Sequence, residues 1–586
     1  MSMYREAIRA YSTRTMLTDL VRRIAPYRST FLLATGIRII GDVAWLYPAI
    51  AVATILTELS KVTAASSSVI LTVFFWWGVA IAVRALSRSW SSYLGFHVSE
   101  RAKLDTEREA LQHLTLLDMA WHERESSGAK MKRVSAAAQG VDRVIRMWFT
   151  LLVSISVTAV GVLIIVSRID PTLSVLIVVF AIIYFTLALI LGRRAAATSL
   201  AVQKEEEVFN GVVYETIANV RTVHVFDHAR EALSRLDALL SGVVGKVQTR
   251  IQAYQFRSFV LFACAQTFLI GSLLFVGIQI IDGHYELGLF ALVYRYFGQI
   301  WDAAGELADF SQEFMTSKLS LARLSEITRT PPEGVSDERF DMPHDWKEIR
   351  FDDVSFSYGE TVALSHVSFS VRRGQKVGIV GSSGAGKSTL FKLLLKERSA
   401  YTGEIYIDDI PLRHIRRSSY FEKVSAVLQD TEVFNISLKD NVTLARPGLS
   451  SDEHVRNALK TAHVSDFAER LPEGVDTIIG ERGVKLSGGE RQRLGIARAV
   501  FKQPELLLMD EATSHLDSDS EERIQDSLTR FFSGVTAIVI AHRLSTIRAM
   551  DVILVIEGGQ VVEQGSFDAL IAQGGRFSEL WSKQSL

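Results

Sequence analysis

The chain has 586 residues, a formal net charge of −1 and a hydrophobic share of 48%. A chain of this length is too long for one hydrophobic core, so we expect at least two folding units. The near-zero net charge gives no electrostatic reason to expect a nucleic acid as a partner, and a single cysteine, Cys264, excludes an intramolecular disulfide. The N-terminal segment lacks the apolar core of a cleaved secretory signal, so we expect the chain to begin in the cytosol.

The first predicted element is a short amphipathic elbow helix over about residues 14–27. Leu17, Leu20, Val21 and Ile24 fall on one helical face. This pattern is typical of a helix that lies on the membrane surface, and equally of a helix that packs against protein. Both interpretations stay open at the level of the sequence.

Six apolar stretches in the first half are long enough to cross a bilayer as helices. They lie near residues 29–58, 67–97, 147–168, 171–193, 255–281 and 286–306. The third and fourth carry no charge until their ends, whereas the first, second and sixth contain ionisable residues and are weaker signals. We therefore predict a helical transmembrane domain with six spans over residues 1–325.

The charges in the connections predict which side of the membrane each connection faces. Residues 99–146 alone hold nine Lys or Arg, whereas the three short connections hold only Lys61 and Arg168. By the positive-inside rule, the long connections and both chain ends face the cytosol. Because the long connections are rich in helix formers, we expect the spans to continue as helices beyond the membrane.

The composition changes at residues 326–346, where three prolines lie among charges without an apolar period. We interpret this segment as a linker between domains. Beyond it, over residues 347–586, short β-rich strings alternate with helical stretches. That alternation predicts an α/β sheet domain.

A phosphate-binding loop follows the apolar string KVGIV. The segment matches GxxxxGK[ST] between a predicted strand and a predicted helix, which is the context that this motif requires. Glycines let backbone N–H groups converge on phosphate oxygens, Lys387 supplies a point charge, and the Ser388 hydroxyl can bind magnesium. The predicted nucleotide-binding residues of this loop are Gly381, Ser382, Ser383, Gly384, Ala385, Gly386, Lys387, Ser388 and Thr389.

Two further segments carry candidate chemistry. The apolar string ELLLM ends in Asp510 and Glu511, which predicts a buried strand that delivers two acids to the edge of a sheet. One carboxylate can bind magnesium and the next can polarise the attacking water. Upstream, Ser487, Gly488 and Gly489 precede a helical string, and such a helix start can bind an anion or can simply cap the helix.

The order of these segments, a phosphate loop, LSGGE, LLLMDEATS and IAHR, resembles that of the nucleotide-binding domains of ABC transporters. The six spans ahead of them look like those of exporter-type half-transporters with the type IV fold. The resemblance covers nearly the whole chain. It implies a dimer in which each ATP is bound between the phosphate loop of one protomer and residues 487–489 of the other.

The resemblance also implies roles for single residues. Tyr358 matches the aromatic residue that stacks on adenine, and Gln429 matches the glutamine that reaches magnesium and the attacking water. Glu511 corresponds to the catalytic base, and His542 to the histidine that contacts the γ-phosphate. Asp517 fits the loop that crosses to the partner's site.

The resemblance extends to the metal and to the contacts between domains. The implied magnesium ligands are Ser388, Gln429 and Asp510. Short coupling helices are expected near residues 117–122 and 215–225, where they would dock onto the ATPase domains. The sequence departs from the family pattern at Glu490, where glutamine is commoner, and we expect little loss of activity from this difference.

The assembly and location follow from the same resemblance. Because every ATPase motif is present, a homodimer is the simplest assembly, and a heterodimer with a separate half-transporter stays open. ATP and Mg²⁺ are the expected cofactors, and the lipid bilayer is an expected partner, whereas nucleic acid is not. We expect a multi-pass protein of a bacterial inner membrane, with the ATPase domain and both termini in the cytosol.

Ionisable residues at membrane depth are candidates for substrate binding. This set consists of Arg38, Asp42, Arg84, Arg88, Arg295, Asp302 and Glu306. Arg38 and Asp42 are spaced to pair along one helix, and a structural role is the favoured interpretation of the set. The aromatic residues Phe74, Phe75, Trp76, Trp77 and Trp90 could line an apolar pocket, but anchoring at the membrane interface is the favoured use.

Several functions are compatible with these features. The resemblance favours ATP-driven export of a drug, lipid, peptide or other amphipathic molecule. Uptake of a metal chelate through the same architecture is the alternative within transport. An ATP-gated channel or a regulator of another membrane protein is the alternative outside it, although Glu511 argues for hydrolysis. The six spans exclude a soluble ABC ATPase that acts on DNA or ribosomes.

Overall fold

The structure is a computed structural model that describes residues 11–61, 67–123, 127–331, 339–446, 448, 451–480, 483–510, 531–532, 534–540 and 547–584. The chain folds into two compact units. Unit 1 comprises Met1–Thr115 and Ser127–Thr330, and unit 2 comprises Leu116–Ser126 and Pro331–Leu586. Unit 1 is helical and unit 2 is built on β-sheets, so the predicted fold class is confirmed.

Unit 1 consists of helices, most of which are long. In chain order they are α1 (Thr13–Ile24), α2 (Arg28–Ala44), α3 (Tyr47–Ser60), α4 (Ser67–Thr115), α6 (Ser127–Met147), α7 (Val153–Ile169), α8 (Pro171–Ala218), α9 (Val220–Val225), α10 (Ala229–Ile281) and α11 (Gly288–Arg329), whereas α5 (Met119–Glu123) lies in unit 2. A helix of 49 residues such as α4 is about 74 Å long, more than twice the roughly 30 Å hydrocarbon core of a bilayer. The prediction that the spans continue as helices beyond the membrane is therefore confirmed.

Five helical segments of the described chain are long and apolar enough to cross a membrane. They are Thr13–Ser60, Ser67–Thr115, Ser127–Ile169, Pro171–Ala218 and Ala229–Ile281. The predicted sixth span, 286–306, lies in α11, which has 42 residues and is long enough to cross. Its hydropathy is lower because Arg295, Asp302 and Glu306 lie on it.

Local sequence explains where several of these helices begin. Asp170 accepts a hydrogen bond from the Thr172 backbone N–H (2.6 Å) and Pro171 occupies the first position of α8, which is a favourable helix start. The first span is interrupted at residues 45–46, between α2 and α3. Pro48 lies in the first turn of α3, where its missing N–H does not interrupt a hydrogen bond.

Helix α1 packs against the C-terminal part of α4. The Arg23 guanidinium donates to Thr106 (2.9 Å) and to the Glu109 carboxylate (3.0 Å). Leu17 and Val21 nevertheless stay exposed on unit 1. One face of the elbow helix therefore packs against protein, and another keeps apolar side chains at its surface, as a membrane-surface helix requires.

Unit 2 contains two sheets. Its strands are β1 (Glu348–Tyr358), β2 (Thr361–Arg372), β3 (Lys376–Val380), β4 (Thr402–Ile407), β5 (Ile410–Pro411), β6 (Val424–Val427), β7 (Leu506–Asp510), β8 (Thr536–Ile540), β9 (Val552–Glu557) and β10 (Gln560–Gly565). Its helices are α12 (Lys387–Leu394), α13 (Arg417–Lys423), α14 (Leu438–Thr443), α15 (Asp452–Thr461), α16 (Ser465–Ala468), α17 (Gly488–Lys502), α18 (Phe567–Gln573) and α19 (Arg576–Gln584). One sheet has the order β2-β1-β4-β5 and is antiparallel, and the other has the order β10-β9-β3-β8-β7-β6 and is parallel except for β10.

The parallel sheet is buried on both faces. Along β7, Leu506 and Leu508 pack into the core shared with the antiparallel sheet, whereas Leu507 and Met509 pack into the helical core on the opposite face. Burial on both faces explains why these strands are continuous apolar strings in the sequence rather than alternating ones. At the start of the unit, Met342 and Trp346 from the predicted linker 326–346 are buried in the first of these cores, and residues 326–329 lie in α11.

Candidate functional site

The register of the parallel sheet places the candidate catalytic segments at one edge. Ile379 of β3 aligns with Ile540 of β8, which in turn aligns with Asp510 of β7. Two strand spacings put the Asp510 backbone about 10 Å from that of Ile379, just before the phosphate loop. Val427 of β6 aligns with Met509, so Gln429 also follows a strand that ends at this edge.

The phosphate loop is a close-packed turn that only glycine allows at two positions. Gly386 has a φ of 105°, and a Cβ there would lie 2.6 Å from the Ala363 carbonyl oxygen. A Cβ on Gly381 would lie 2.2 Å from the Ile556 carbonyl oxygen. The loop is therefore held against neighbouring strands, and the first turn of α12 follows directly, with backbone N–H groups that have no intrahelical acceptor.

Lys387 is buried in this loop, with 7% of its surface exposed. Its ammonium group donates to the carbonyl oxygens of Gly381 and Ser382, both at 2.9 Å. The loop thus holds a positive charge directly above its own backbone. Of the other predicted loop residues, Ala385 and Thr389 are buried, whereas Ser382, Ser383, Gly384 and Ser388 are exposed.

Three of the predicted residues lie outside the described part of the chain. They are Glu511, Asp517 and His542. Glu511 directly follows Asp510, the last residue of β7, and His542 comes two residues after Ile540, the last residue of β8. Asp510 is partly buried and Gln429 is exposed.

Ser487 begins helix α17 with a capping box. The Glu490 backbone N–H donates to the Ser487 hydroxyl (3.3 Å), and the Ser487 backbone N–H donates to the Glu490 carboxylate (2.8 Å). Glutamate and glutamine both complete such a box, which explains why Glu490 can replace the commoner glutamine here. Ser487 is exposed, so the helix start faces solvent within unit 2.

Tyr358 ends β1 with 40% of its surface exposed. Its ring contacts Phe356 edge to face at a centroid distance of 4.9 Å. The Lys392 ammonium and the Arg398 guanidinium lie 5.9 and 5.8 Å from the ring centroid. The ring therefore has an accessible surface on which a nucleotide base can stack. The two cations beside it suit the phosphates of the same nucleotide.

Glu123 joins the two cations near Tyr358 to the loop tip, residues 116–126, of unit 2. Its carboxylate accepts a short hydrogen bond from Arg398 and lies 3.6 Å from the Lys392 ammonium. Burial alone would raise the pKa of Glu123, but the Arg398 hydrogen bond and the charges of Lys392 and Arg398 lower it overall. Sequence reasoning missed this contact because the partners are 275 residues apart and no local motif marks them.

The membrane-depth charges fall into two groups. Arg38 and Asp42 pair at 3.0 Å with only 4% and 5% of their surfaces exposed, and the Ser154 hydroxyl contacts both groups. This pair supports the structural interpretation. Arg84 and Arg295 instead approach one indole ring, with guanidinium carbons 3.7 and 5.9 Å from the Trp45 centroid.

Comparison with known proteins agrees with these features. The description "ABC transporter transmembrane region" matches residues 31–303, and "ABC transporter" matches residues 364–514. The mycobactin import ATP-binding/permease protein IrtB of Mycolicibacterium thermoresistibile is 31% identical over 84% of each chain. The ATP-dependent lipid A-core flippase of Shewanella sp. strain MR-4 is 30% identical over 86% of this chain and 84% of its own.

The chain belongs to the ABC transporter family. A solved structure of a bacterial Atm1-family ABC exporter with ATP bound shares 25% identity and a TM-score of 0.85, covering 97% of this chain and all of that one. The ABC chain is accordingly a multi-pass membrane protein that couples ATP hydrolysis to transport across the membrane. The match over residues 364–514 includes the phosphate loop, the start of α17 and the end of β7.

Proposed function

We propose that two copies of this chain form a homodimeric exporter in which each ATP is bound by both copies. The observation that carries the proposal is a capped helix start that faces solvent on unit 2. The phosphate loop and Asp510 lie at one sheet edge, and the start of α17 has an exposed Ser487 followed by the half-buried Gly488 and Gly489. A helix start that carries a positive dipole and faces solvent can complete a phosphate site on a second copy.

Each residue at the edge has a distinct task in this proposal. The Tyr358 ring stacks on adenine, and backbone N–H groups of residues 381–389 together with Lys387 bind the phosphates. Glu511 orients and deprotonates the attacking water, and Gln429 and His542 hold that water and the γ-phosphate in line. Charge on the transferred group is stabilised in place, which is the main source of catalysis in phosphoryl transfer.

The residues present fit a magnesium ion bound together with the nucleotide. Ser388, Gln429 and Asp510 offer hard oxygen donors, and two of them follow aligned strands. The described residues contain no cluster of three His, Cys, Asp or Glu that could hold a metal by itself. This suits magnesium, which proteins bind through one or two side chains plus phosphate oxygens. When bound, the ion would neutralise charge on the β- and γ-phosphates.

The coupling of ATPase and membrane domains is proposed to run through the loop tips. Residues 116–126 group with unit 2 although α4 and α6, on either side, belong to unit 1. The second predicted tip, near residues 215–225, carries apolar side chains that the single chain leaves exposed: Tyr214, Ile217, Val220, Val225 and Phe226. An exposed apolar patch of this kind is typical of a surface that another chain covers. We propose that the second copy of the chain covers this patch.

A mixing experiment tests the shared sites. Protomers with Lys387→Ala and protomers with Ser487→Arg are expected to be inactive as pure dimers. Co-expressed with different affinity tags and purified through both, they form dimers in which one shared site has both defects and the other has none. ATPase activity should therefore return. An inactive mixed dimer would show that each site is built within one chain.

A simpler measurement tests the homodimer. The chain purified alone should have a protein mass of twice 65.2 kDa and should hydrolyse ATP. A monomeric or inactive preparation that regains activity only with a second half-transporter would replace the homodimer with a heterodimer.

Import of a metal chelate is the second candidate, because one relative is named as a mycobactin importer. Inside-out bacterial membrane vesicles separate the two directions. An exporter accumulates a labelled amphiphile in such vesicles when ATP is added outside. An importer instead releases a preloaded, radiolabelled ferric chelate under the same conditions. We also propose that the chain lies in a bacterial inner membrane with the ATPase domain and both termini in the cytosol, as the charges of its connections indicate.

A further inference from the structure

Three helical segments of unit 1 bring polar side chains to one face around Trp45. Trp45 lies at the interruption between α2 and α3, Arg84 lies on α4, and Arg295 lies on α11. The Tyr296 hydroxyl donates to the Leu46 carbonyl oxygen (3.0 Å), which fixes α11 beside this interruption. We call Trp45, Arg84, Arg295 and Gln299 the Trp45 face.

The two arginines of the Trp45 face have aromatic contacts but no acidic partner among the described residues. The Arg84 guanidinium lies 3.7 Å from the Trp45 ring centroid, and that of Arg295 lies 5.9 Å from it. The nearby acid, Asp42, is already bonded to Arg38 and Ser154. A guanidinium whose contact is with an aromatic ring still has N–H groups that can bind an oxyanion.

Gln299 adds a neutral amide to the helical face that carries Arg295. It lies four residues after Arg295 on α11, hence on the same helical face. Its amide nitrogen and oxygen are both buried and have no hydrogen-bond partner within the described chain. Buried polar atoms are normally satisfied, so this amide has hydrogen-bonding capacity to offer a ligand on the helical face that carries Arg295.

The acids of α11 lie too far along the helix to neutralise the Trp45 face. Asp302 and Glu306 follow Arg295 by seven and eleven residues, which is about 10 and 16 Å along the axis. Arg88, one turn beyond Arg84, is within electrostatic range of Glu306. The face is therefore positive around Trp45 and balanced further towards the C-terminal end of α11.

Lipid is excluded as the environment of this face. Arg84 is 17 residues into α4, about 26 Å from its start and so at membrane depth if the helix spans. Charged side chains at that depth face protein or a water-filled cavity because exposure to hydrocarbon is costly. Arg295 is nevertheless exposed on the single chain.

We propose that the Trp45 face binds the oxyanion, a phosphate or a carboxylate, of an amphipathic transported substrate. This inference rests on the proposed export function and gives its substrate class. Arg84 and Arg295 bind the anion through their N–H groups, Gln299 donates a further hydrogen bond, and the Trp45 ring contacts the guanidinium groups through cation–π interactions. The large apolar surface of the surrounding helices suits the hydrophobic part of such a molecule.

The test uses the full chain in lipid nanodiscs and four probes with the same alkyl chain, each below its micellar concentration. The probes are dodecyl phosphate, dodecanoate, dodecyltrimethylammonium and dodecyl maltoside. The readout is the probe concentration that gives half of the maximal change in ATPase rate. Both anions should act at lower concentrations than the cation and the neutral probe, and their relative order shows which oxyanion is preferred.

Variants connect this preference to the face. Arg84→Gln and Arg295→Gln should each raise the half-maximal concentration of the anions about tenfold, since a charge-assisted hydrogen bond contributes about one such step of affinity. Arg295→Glu should in addition make dodecyltrimethylammonium the stronger probe. Arg168→Gln is the matched control, because Arg168 is exposed at the C-terminal end of α7, away from this face, and should leave all four responses unchanged.

Three results would overturn the inference while basal ATPase activity persists. These are equal responses to all four probes, no response to either anion, and an anion response that survives both Gln substitutions. If a Gln variant is not recovered folded, the order of the probes on the unmodified chain decides. A chain without any ATPase activity would instead contradict the proposed function itself.

Discussion

The two units place functional residues by different means. In unit 2, each chemical group lies in a short local segment, and the register of four parallel strands delivers those segments to one edge. In unit 1, Arg38, Arg84 and Arg295 share a residue type and a membrane setting, yet the first is paired with Asp42 and the guanidinium groups of the others lie over the Trp45 ring. Local sequence therefore specifies the nucleotide chemistry, whereas side-chain contacts between distant helices distinguish structural charges from candidate binding charges.

The largest expected effect concerns Glu511, the proposed base, which directly follows β7 in the sequence. Glu511→Gln should lower the ATPase rate by about a hundredfold to ten-thousandfold, the range that a general base contributes. Binding of ATP and closure of the two ATPase domains should persist, because the amide removes proton transfer and leaves the phosphate contacts in place. Trapping of labelled ATP by the variant measures closure. Normal turnover would show that Glu511 is not the base. It would also weaken the conclusion that local sequence specifies the nucleotide chemistry of unit 2.

The next effect concerns the buried pair in unit 1. Asp42→Asn leaves the Arg38 charge buried without its carboxylate, and removing one partner of a buried ion pair costs about 3–5 kcal/mol. We expect a lower unfolding temperature in nanodiscs. The double variant Arg38→Met, Asp42→Leu should recover much of the loss, since it removes both charges together. If instead Asp42→Asn leaves stability unchanged and alters the response to substrates, the pair belongs with the Trp45 face.

A smaller effect is expected at Glu123, which joins residues 116–126 to the cations around Tyr358. Glu123→Gln should raise the KM for ATP by about two- to fivefold, as expected for a partly exposed ion pair. Arg446→Gln, at a partly exposed bend of unit 2 outside this contact, is the comparison. An unchanged KM would show that the loop tip does not position Arg398 beside the nucleotide.

The same contact makes a prediction about pH. Because the folded protein lowers the pKa of Glu123, the ionised carboxylate stabilises the fold at pH values above its ordinary pKa of about 4.5. That stabilisation is lost as the pH falls through the lower, folded-state pKa. The difference in unfolding temperature between the parent chain and Glu123→Gln should therefore be constant between pH 6 and 8 and should shrink under acid conditions. A difference that grows on acidification would contradict a lowered pKa of Glu123 in the folded protein.

The smallest effect is expected at the start of α17. Glu490→Gln should leave ATPase activity and stability unchanged, because glutamine also completes the capping box with Ser487. Glu490→Ala should cost about 1 kcal/mol of stability, a typical value for a lost cap interaction. Thermal unfolding of the parent chain and the two variants measures the stability, and an ATPase assay measures the activity. A strong loss of ATPase activity in Glu490→Gln alone would show that the carboxylate acts in the nucleotide site and not only as a cap.

Much of the architecture was predictable because it depends on local patterns. Apolar stretches indicated the spans, helix formers indicated that the spans continue as helices, and β-rich strings alternating with helical stretches indicated an α/β sheet domain. Other features depend on contacts that no window of sequence contains. The bond between Glu123 and Arg398 joins residues 275 positions apart, and the cation–π contact of Arg295 with Trp45 joins α11 to the interruption in the first span.

The sequence by itself determined that this protein binds and hydrolyses ATP and that its first half crosses a membrane, because glycine spacing, strand ends and hydrophobic length act over a few residues. The tertiary structure alone decided which membrane-depth charges are neutralised. Arg38 meets Asp42 one turn along its own helix and Ser154 on another, whereas Arg84 and Arg295 lie over the Trp45 indole and have no acid bonded to them among the described residues. Charge compensation is a property of distance in space, and helix packing, not spacing along the chain, sets that distance.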